Sequence, residues 1–284
     1  MRVLITGAAG QLGTDLVAAC TAAGDTVYAF DRAGLDVSDR SAVLGAVTSL
    51  QPDAVVNCAA WTAVDACEAD PELAVAMNGS AVRWLAEACT RADAHLVQLS
   101  TDYVFDGELD RPYHEWDDPC PQSIYGITKL IGEREALAMG PRSAVVRTSW
   151  VGGVHGSNMV KTVMRLAAEH PELAFVADQV GCPTFTQDLA PMLRRIALDR
   201  LSGVVHATNQ GAVSWFEFAR EVVAAMGKDP EMVRPIATAD LQPPRPAPRP
   251  ANSVLDNAVL RLAGYPELRH HLEPLRETVA SLLV

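Results

Sequence analysis

Short β-branched runs punctuate the first half of the chain at Val3–Thr6, Thr26–Phe30, Ala54–Asn57, His95–Leu99 and Ala144–Arg147. Between them lie helical patterns near Leu12–Ala23, Arg40–Ser49, Glu72–Ala92 and Tyr125–Met139. Such alternation predicts βαβ units and an α/β fold built on a doubly wound parallel sheet. Ser38 or Asp39, just before the "RSAVLGAV" pattern, is the expected N-cap of the second helix.

After Trp150 the grain changes. Glycines and isolated strands separate helical patterns near Asn158–Glu169, Thr186–Leu198, Ser214–Met226 and Glu267–Leu283. The proline-rich stretch "LQPPRPAPRP" at 241–250 cannot be regular helix. It reads either as an extended linker or as a stiff loop carrying Arg245 and Arg249 towards a ligand. The division expected is a nucleotide-binding domain over 1–150, to which later segments return, and a smaller, interleaved substrate-binding domain over 151–284.

Candidate chemistry collects where predicted strands end. "ITGAAGQLG" places Gly7, Gly10 and Gly13 at GxxGxxG spacing, after the first strand and opening the first helix. Glycine there lets backbone approach a pyrophosphate, and the helix N-terminus offers free N–H groups and the positive end of its dipole. In that strand-to-helix context the motif points to a Rossmann-type dinucleotide site. The second strand ends in Asp31, which suits an NAD ribose, beside Arg32, which suits an NADP 2′-phosphate. The two pull in opposite directions, so NADPH and NADH both remain candidate cofactors. Asp36 and Val37 are candidates to flank the adenine. Ala59 and Ala60 after the third strand leave space for a cofactor crossing the sheet edge, and Thr62 offers a hydroxyl there.

The fourth run ends in an unusual way, "LSTDYVFDG", where an apolar strand gives out onto Ser100, Thr101, Asp102 and Tyr103. A turn would explain these residues, but open α/β sheets also bind ligands at the carboxyl ends of their strands. "YGITK" decides between them by placing Tyr125 and Lys129 four apart, on one face of a helix. An unassisted phenol, with a pKa of about 10, is a poor acid near neutrality. An ammonium nearby is expected to lower it, so that Tyr125 can protonate a carbonyl oxygen as hydride reaches its carbon. The Thr101 hydroxyl would then bond the same oxygen.

Together GxxGxxG, "NCAA", "STDYVF" and YxxxK resemble the extended short-chain dehydrogenase/reductases. "NCAAWTAVDACE", "STDYVFDG", "VVRTSWV", "DQVGCPT" and "RPANS" narrow the resemblance to the dTDP-4-dehydrorhamnose reductases, over nearly the whole chain. That resemblance implies an NAD(P)H-dependent reductase of a dTDP-4-keto-6-deoxysugar, with Tyr125 and Lys129 catalytic and Thr101 assisting. Matched by motif, Gly10, Gln11, Leu12, Asp31, Asp36, Val37, Ala60, Trp61, Thr62 and Leu99 would contact cofactor. Thr101, Asp102 and Trp150 would contact the sugar nucleotide. Trp61 and Met77 depart from the usual pattern, as does "WVGGVHGSNM", and these departures bear on which sugar is used. Some members dimerise through magnesium and acidic residues. A homodimer and Mg2+ are therefore options by resemblance alone, and no acidic cluster here has a spacing specific for the metal.

Charge and cysteine usage trim the alternatives. A net charge of −12 argues against a nucleic-acid or anionic-membrane partner, and it means that a diphosphate needs a local cation. Arg249 in "RPANS" is the best candidate, because a guanidinium can hold phosphate oxygens through two parallel bonds. Cys20, Cys58, Cys67, Cys89, Cys120 and Cys182 show no zinc-ligand spacing and are expected as free buried thiols. A strand-like "RVLITG" at the start leaves no room for a signal peptide, and no apolar run is long enough for a membrane span. A cytoplasmic setting is expected. A dehydratase would want Glu after Thr101-Asp102, where Tyr103 stands. An epimerase, a reductase of a different dTDP-4-ketosugar, and a non-catalytic subunit like the regulatory subunit of methionine adenosyltransferase are the other readings. The last would not need Thr101, Tyr125 and Lys129 all intact.

Overall fold

The structure, a computed structural model, describes residues 1–138 and 142–284. Five strands, β1 (Arg2–Thr6), β2 (Thr26–Phe30), β3 (Ala54–Asn57), β4 (His95–Thr101) and β5 (Ser143–Thr148), form a parallel sheet. The strand Gly203–His206 joins the far edge beside β5, giving the order 203–206, β5, β4, β3, β1, β2. Every residue of β3, β4 and β5 is buried. That is the burial a parallel sheet needs when helices cover both faces.

Helix α1 (Gln11–Ala22) and the helix Thr186–Asp199 cover one face. Helix α2 (Arg40–Leu50) and the helices Ala81–Ala92 and Ile124–Ala138 cover the other. Asp39 is the N-cap of α2, its carboxylate accepting from the Ser41 and Ala42 backbone N–H groups at 2.8 and 3.2 Å. Leu189, Leu193 and Ile196 are fully buried against the sheet, each worth about 1.5–3 kcal/mol of apolar burial. A third core joins the helices Met159–Glu169, Trp215–Ala225 and Leu272–Leu282 in the second half.

Several predicted elements change shape. The fourth strand continues past Leu99 to Thr101, which pairs with Thr148 of β5, so Ser100 and Thr101 are strand residues rather than turn residues. The expected helix over Glu72–Ala92 is instead Pro71–Val75, a π-helical turn at Ala76–Ser80, and Ala81–Ala92. The wide turn lets backbone meet backbone, since a Cβ on Gly132 would stand 2.2 Å from the Asn78 carbonyl oxygen. The last helix begins at Leu272 rather than Glu267, because His270 is held in a bridge with Gln210. The predicted helix end at Met139 lies outside the described residues. All six cysteines are free, but Cys120 is exposed and Cys58 only partly buried.

Candidate active site

Most of the chemistry lies at one edge of the sheet, where the strands end. Gly7 leaves β1 at φ +64°, and a Cβ there would sit 2.7 Å from the Ala59 nitrogen. A Cβ on Gly13 would come within 2.2 Å of the Gly7 carbonyl. Only glycine permits this packing. Gly10 is the N-cap of α1 and brings no capping side chain, so the first-turn N–H groups face outward as an anion cradle. Beside them a cleft of about 560 Å³ is lined by Gly7, Gly10, Asp31, Arg32, Val37 and Trp61, with Asp36, Ala59, Ala60 and Met77 also on its wall. Asp31 spends one oxygen on the Gly34 N–H at 2.8 Å. Arg32 is exposed and makes no ion pair among the described residues.

Not every candidate faces this cleft. Leu12 packs into the core beneath α1, and Thr62 is exposed outside it. Gln11 reaches across to the second half, donating to the Val151 carbonyl at 3.0 Å and accepting from Asn158 at 2.7 Å. Leu99 contributes its carbonyl oxygen, which accepts from Lys129 Nζ at 2.6 Å.

Tyr125 and Lys129 lie on the helix Ile124–Ala138, both buried. The π-turn fixes this helix against the cofactor cleft. Asn78 Nδ2 donates to the Trp61 carbonyl at 3.0 Å and to Thr128 Oγ1 at 3.2 Å, while its Oδ1 accepts from the Trp61 N–H at 2.9 Å. Burial lowers the Lys129 ammonium to about 8, with Glu133 opposing the shift. Tyr125 departs from expectation. Burial pushes its phenol upward, the Thr101 hydroxyl opposing, and Lys129 has its ammonium on the Leu99 carbonyl. The neutral phenol is nonetheless the form that can donate a proton.

Thr101 Oγ1 donates to Asp102 Oδ1 at 2.9 Å and accepts from the Tyr103 N–H at 3.2 Å. Asp102 is buried and its Oδ2 has no partner. Burial raises its pKa to about 6, the Thr101 hydroxyl offsetting part of the rise. Tyr103 meets Tyr125 edge-on, ring centroids 5.6 Å apart.

Tyr103 also opens onto a second cleft of about 350 Å³, lined among others by Phe175, Gln179, Trp215, Arg245 and Arg249. Trp150, at φ +46°, stacks on Trp215 with centroids 3.4 Å apart. A bulky residue in the left-handed region is strained, and such strain gathers at functional sites. The proline-rich stretch does carry Arg249 to this cleft. Its fork is not free, however: Nη1 and Nη2 donate to Asp65 at 2.6 and 2.7 Å, with Arg245 3.7 Å from the same carboxylate. Among the described residues no group of His, Cys, Asp and Glu is placed to hold a metal, and no helix is long and apolar enough to cross a membrane.

Residues 1–284 match the family model described as "RmlD substrate binding domain". The chain belongs to that family. A dTDP-4-dehydrorhamnose reductase of Streptomyces griseus is 44% identical over 287 aligned residues, covering 99% of this chain and 94% of the relative. A dTDP-4-keto-6-deoxy-D-glucose reductase of Streptomyces niveus is 40% identical over 99% of this chain and 97% of its own length. Among solved structures, a dTDP-4-dehydrorhamnose reductase of Bacillus anthracis in complex with NADP superposes with a TM-score of 0.94 at 36% identity, covering 99% of each chain. Family membership agrees with the reading of the sequence motifs and of the parallel sheet.

Sequence reasoning passed over several residues that the fold brings to the site. Trp215 meets Trp150 across a separation that no local motif spans. Phe175 and Gln179 arrive from a short strand and the loop after it. Tyr103 stood within a quoted motif, and its aromatic ring next to Thr101-Asp102 was the available signal.

Proposed function

We propose that this protein reduces the C4 ketone of dTDP-4-dehydro-L-rhamnose to give dTDP-L-rhamnose, using NADPH or NADH. The observation that carries the reading is the gathering of Thr101, Tyr125 and Lys129 at the end of β4, beside Tyr103, which opens onto the cleft lined by aromatics and arginines. The residues fit a nicotinamide cofactor: glycines whose Cβ atoms would clash, an uncapped helix start, and Asp31 and Arg32 at the end of β2. When bound, that cofactor supplies hydride to the carbonyl carbon.

The chain's own residues do the rest. Tyr125, kept neutral by burial, donates its phenolic proton to the carbonyl oxygen as negative charge develops there. Thr101, whose hydroxyl proton rests on Asp102 Oδ1 in the free protein, turns that proton to the same carbonyl oxygen when substrate is bound. Lys129, held by the Leu99 carbonyl one helical turn from Tyr125, offsets the charge left on the phenolate and positions the cofactor. Trp150 and Trp215 stack into an apolar wall suited to excluding water from the sugar ring, and Arg245 and Arg249 are the cations of this cleft open to a diphosphate, Arg249 by exchanging its bonds to Asp65. The intact triad also favours catalysis over a regulatory-subunit role, which would not require it.

The test is turnover, followed by loss of NADPH absorbance, with dTDP-4-keto-6-deoxysugars of different configuration. Tyr125→Phe keeps the ring and removes the proton, so substrate binding should survive while kcat falls roughly 10²–10⁴-fold. Near-normal turnover by this variant would sink the assignment, and preference for a sugar other than the rhamnose precursor would redirect the substrate.

A further inference from the structure

We infer that Glu133, clamped by Arg147 and Ser100, is a positioning residue that keeps Lys129 a cation behind the proton-donating tyrosine. Glu133 stands one helical turn beyond Lys129, which stands one turn beyond Tyr125, so the three share a face of the helix Ile124–Ala138. Glu133 is 2% exposed, and a lone carboxylate there would be costly. It is not alone. Arg147 of β5 donates from Nε to Oε1 at 2.9 Å and from Nη2 to Oε2 at 2.7 Å. Ser100 Oγ donates to Oε1 at 2.5 Å.

The anchors are arranged with the lysine in mind. Leu99 takes the Lys129 ammonium and the next residue, Ser100, takes the Glu133 carboxylate, while Ser100 pairs in register with Arg147. Neighbouring backbone positions on β4 therefore fix both charges of the helix. Around Lys129, Tyr125 lies on its own helix, Cys58 comes from the segment after β3, and Leu99 presents only a carbonyl. Glu133 is the carboxylate that opposes the cost of burying the ammonium. A purely structural pair tying helix to sheet would need no such neighbour.

This inference rests on the reductase reading for Lys129's role, but its readout is cofactor binding. In the parent, NADPH affinity measured by fluorescence should weaken as pH rises through about 8, where the ammonium is lost. Glu133→Gln combined with Arg147→Met removes the ion pair together, so neither partner is left as a lone buried charge and the fold should persist, checked by circular dichroism and thermal melting. The alkaline break should then move down by roughly one pH unit, the scale of one neighbouring charge at this spacing. Glu133→Asp, which keeps the charge, should restore the break towards its parental position. A folded double variant whose break stays at the parental pH overturns the inference. So does a parent whose NADPH affinity shows no alkaline break at any pH up to 11, a result that needs no variant at all. If the parent shows the break yet reduces no ketosugar, the substrate reading fails and this one stands.

Discussion

Asp102→Asn should reverse its effect on stability with pH. The Asp102 carboxyl titrates near 6 in the fold, raised by burial from an ordinary value near 3.8. A group with a raised value binds more protons folded than unfolded between those two pH values, so stability falls as pH climbs through that window. Roughly two units at ~1.4 kcal/mol each give about 3 kcal/mol of destabilisation above pH 6. Asparagine carries no charge and still accepts the Thr101 hydroxyl through its carbonyl oxygen. Its amide would, however, take the place of Oδ2, which has no partner, at a cost of about 1–3 kcal/mol. The variant should therefore be the more stable protein at pH 7.5, by up to about 2 kcal/mol or a few degrees in Tm. At pH 4 it should be the less stable one. Thermal melts of both proteins across pH 4–8 test this, and other titrating groups such as buried His206 cancel in the difference. Parallel Tm curves, or a variant weaker at every pH, would refute the account of Asp102. Because Asp102 supports Thr101, turnover should drop in the variant even where stability rises.

Arg32, exposed on the cleft at the end of β2, should let the enzyme use NADPH and NADH within about tenfold, or ~1.4 kcal/mol; Arg32→Ala should favour NADH, and a hundredfold parental preference in steady-state kinetics would contradict the reading. Arg249→Ala should raise KM for the sugar nucleotide with kcat nearly unchanged, since a diphosphate is held alike in ground and transition states. Its loss should cost little stability, because the Asp65 carboxylate left behind is about a third exposed and can be hydrated. An unchanged KM would leave Arg249 as a clamp on Asp65 alone.

What could be read from the sequence was whatever a local pattern encodes. The strands of the first half and the glycine loop are short-range signals, and β2 and β3 fall at the predicted residues. Tyr125 and Lys129 needed only helical periodicity. The break at Ala76–Ser80 escaped notice because what it accommodates, the close approach of Gly132 to the Asn78 carbonyl, comes from another helix. The direction of the Tyr125 shift was missed because burial, which raises it, is a property of the whole fold, and because the ammonium expected to oppose it is drawn elsewhere. A spacing of four puts an ammonium within a turn, but the Leu99 carbonyl, thirty positions earlier, decides where it points. Asp65 as the partner of Arg249 is likewise invisible in a string that separates them by 184 positions.

The strand Gly203–His206, closing the sheet beside β5, sets a rule for anyone recombining this protein with a relative of different sugar preference. A single crossover near Trp150 would import a foreign edge strand together with the helix Thr186–Asp199, whose leucines fit this sheet's face and α1. The resulting hybrid would inherit a mismatched scaffold along with its new specificity. Two exchanges, one before the helix and one after the strand, would leave residues 186–207 native while replacing Trp150–Gln179 and Trp215–Arg249. Framework strand and cleft wall are thus supplied alternately by the same polypeptide, so exchanging the cleft while keeping the sheet intact takes two separate segments rather than one.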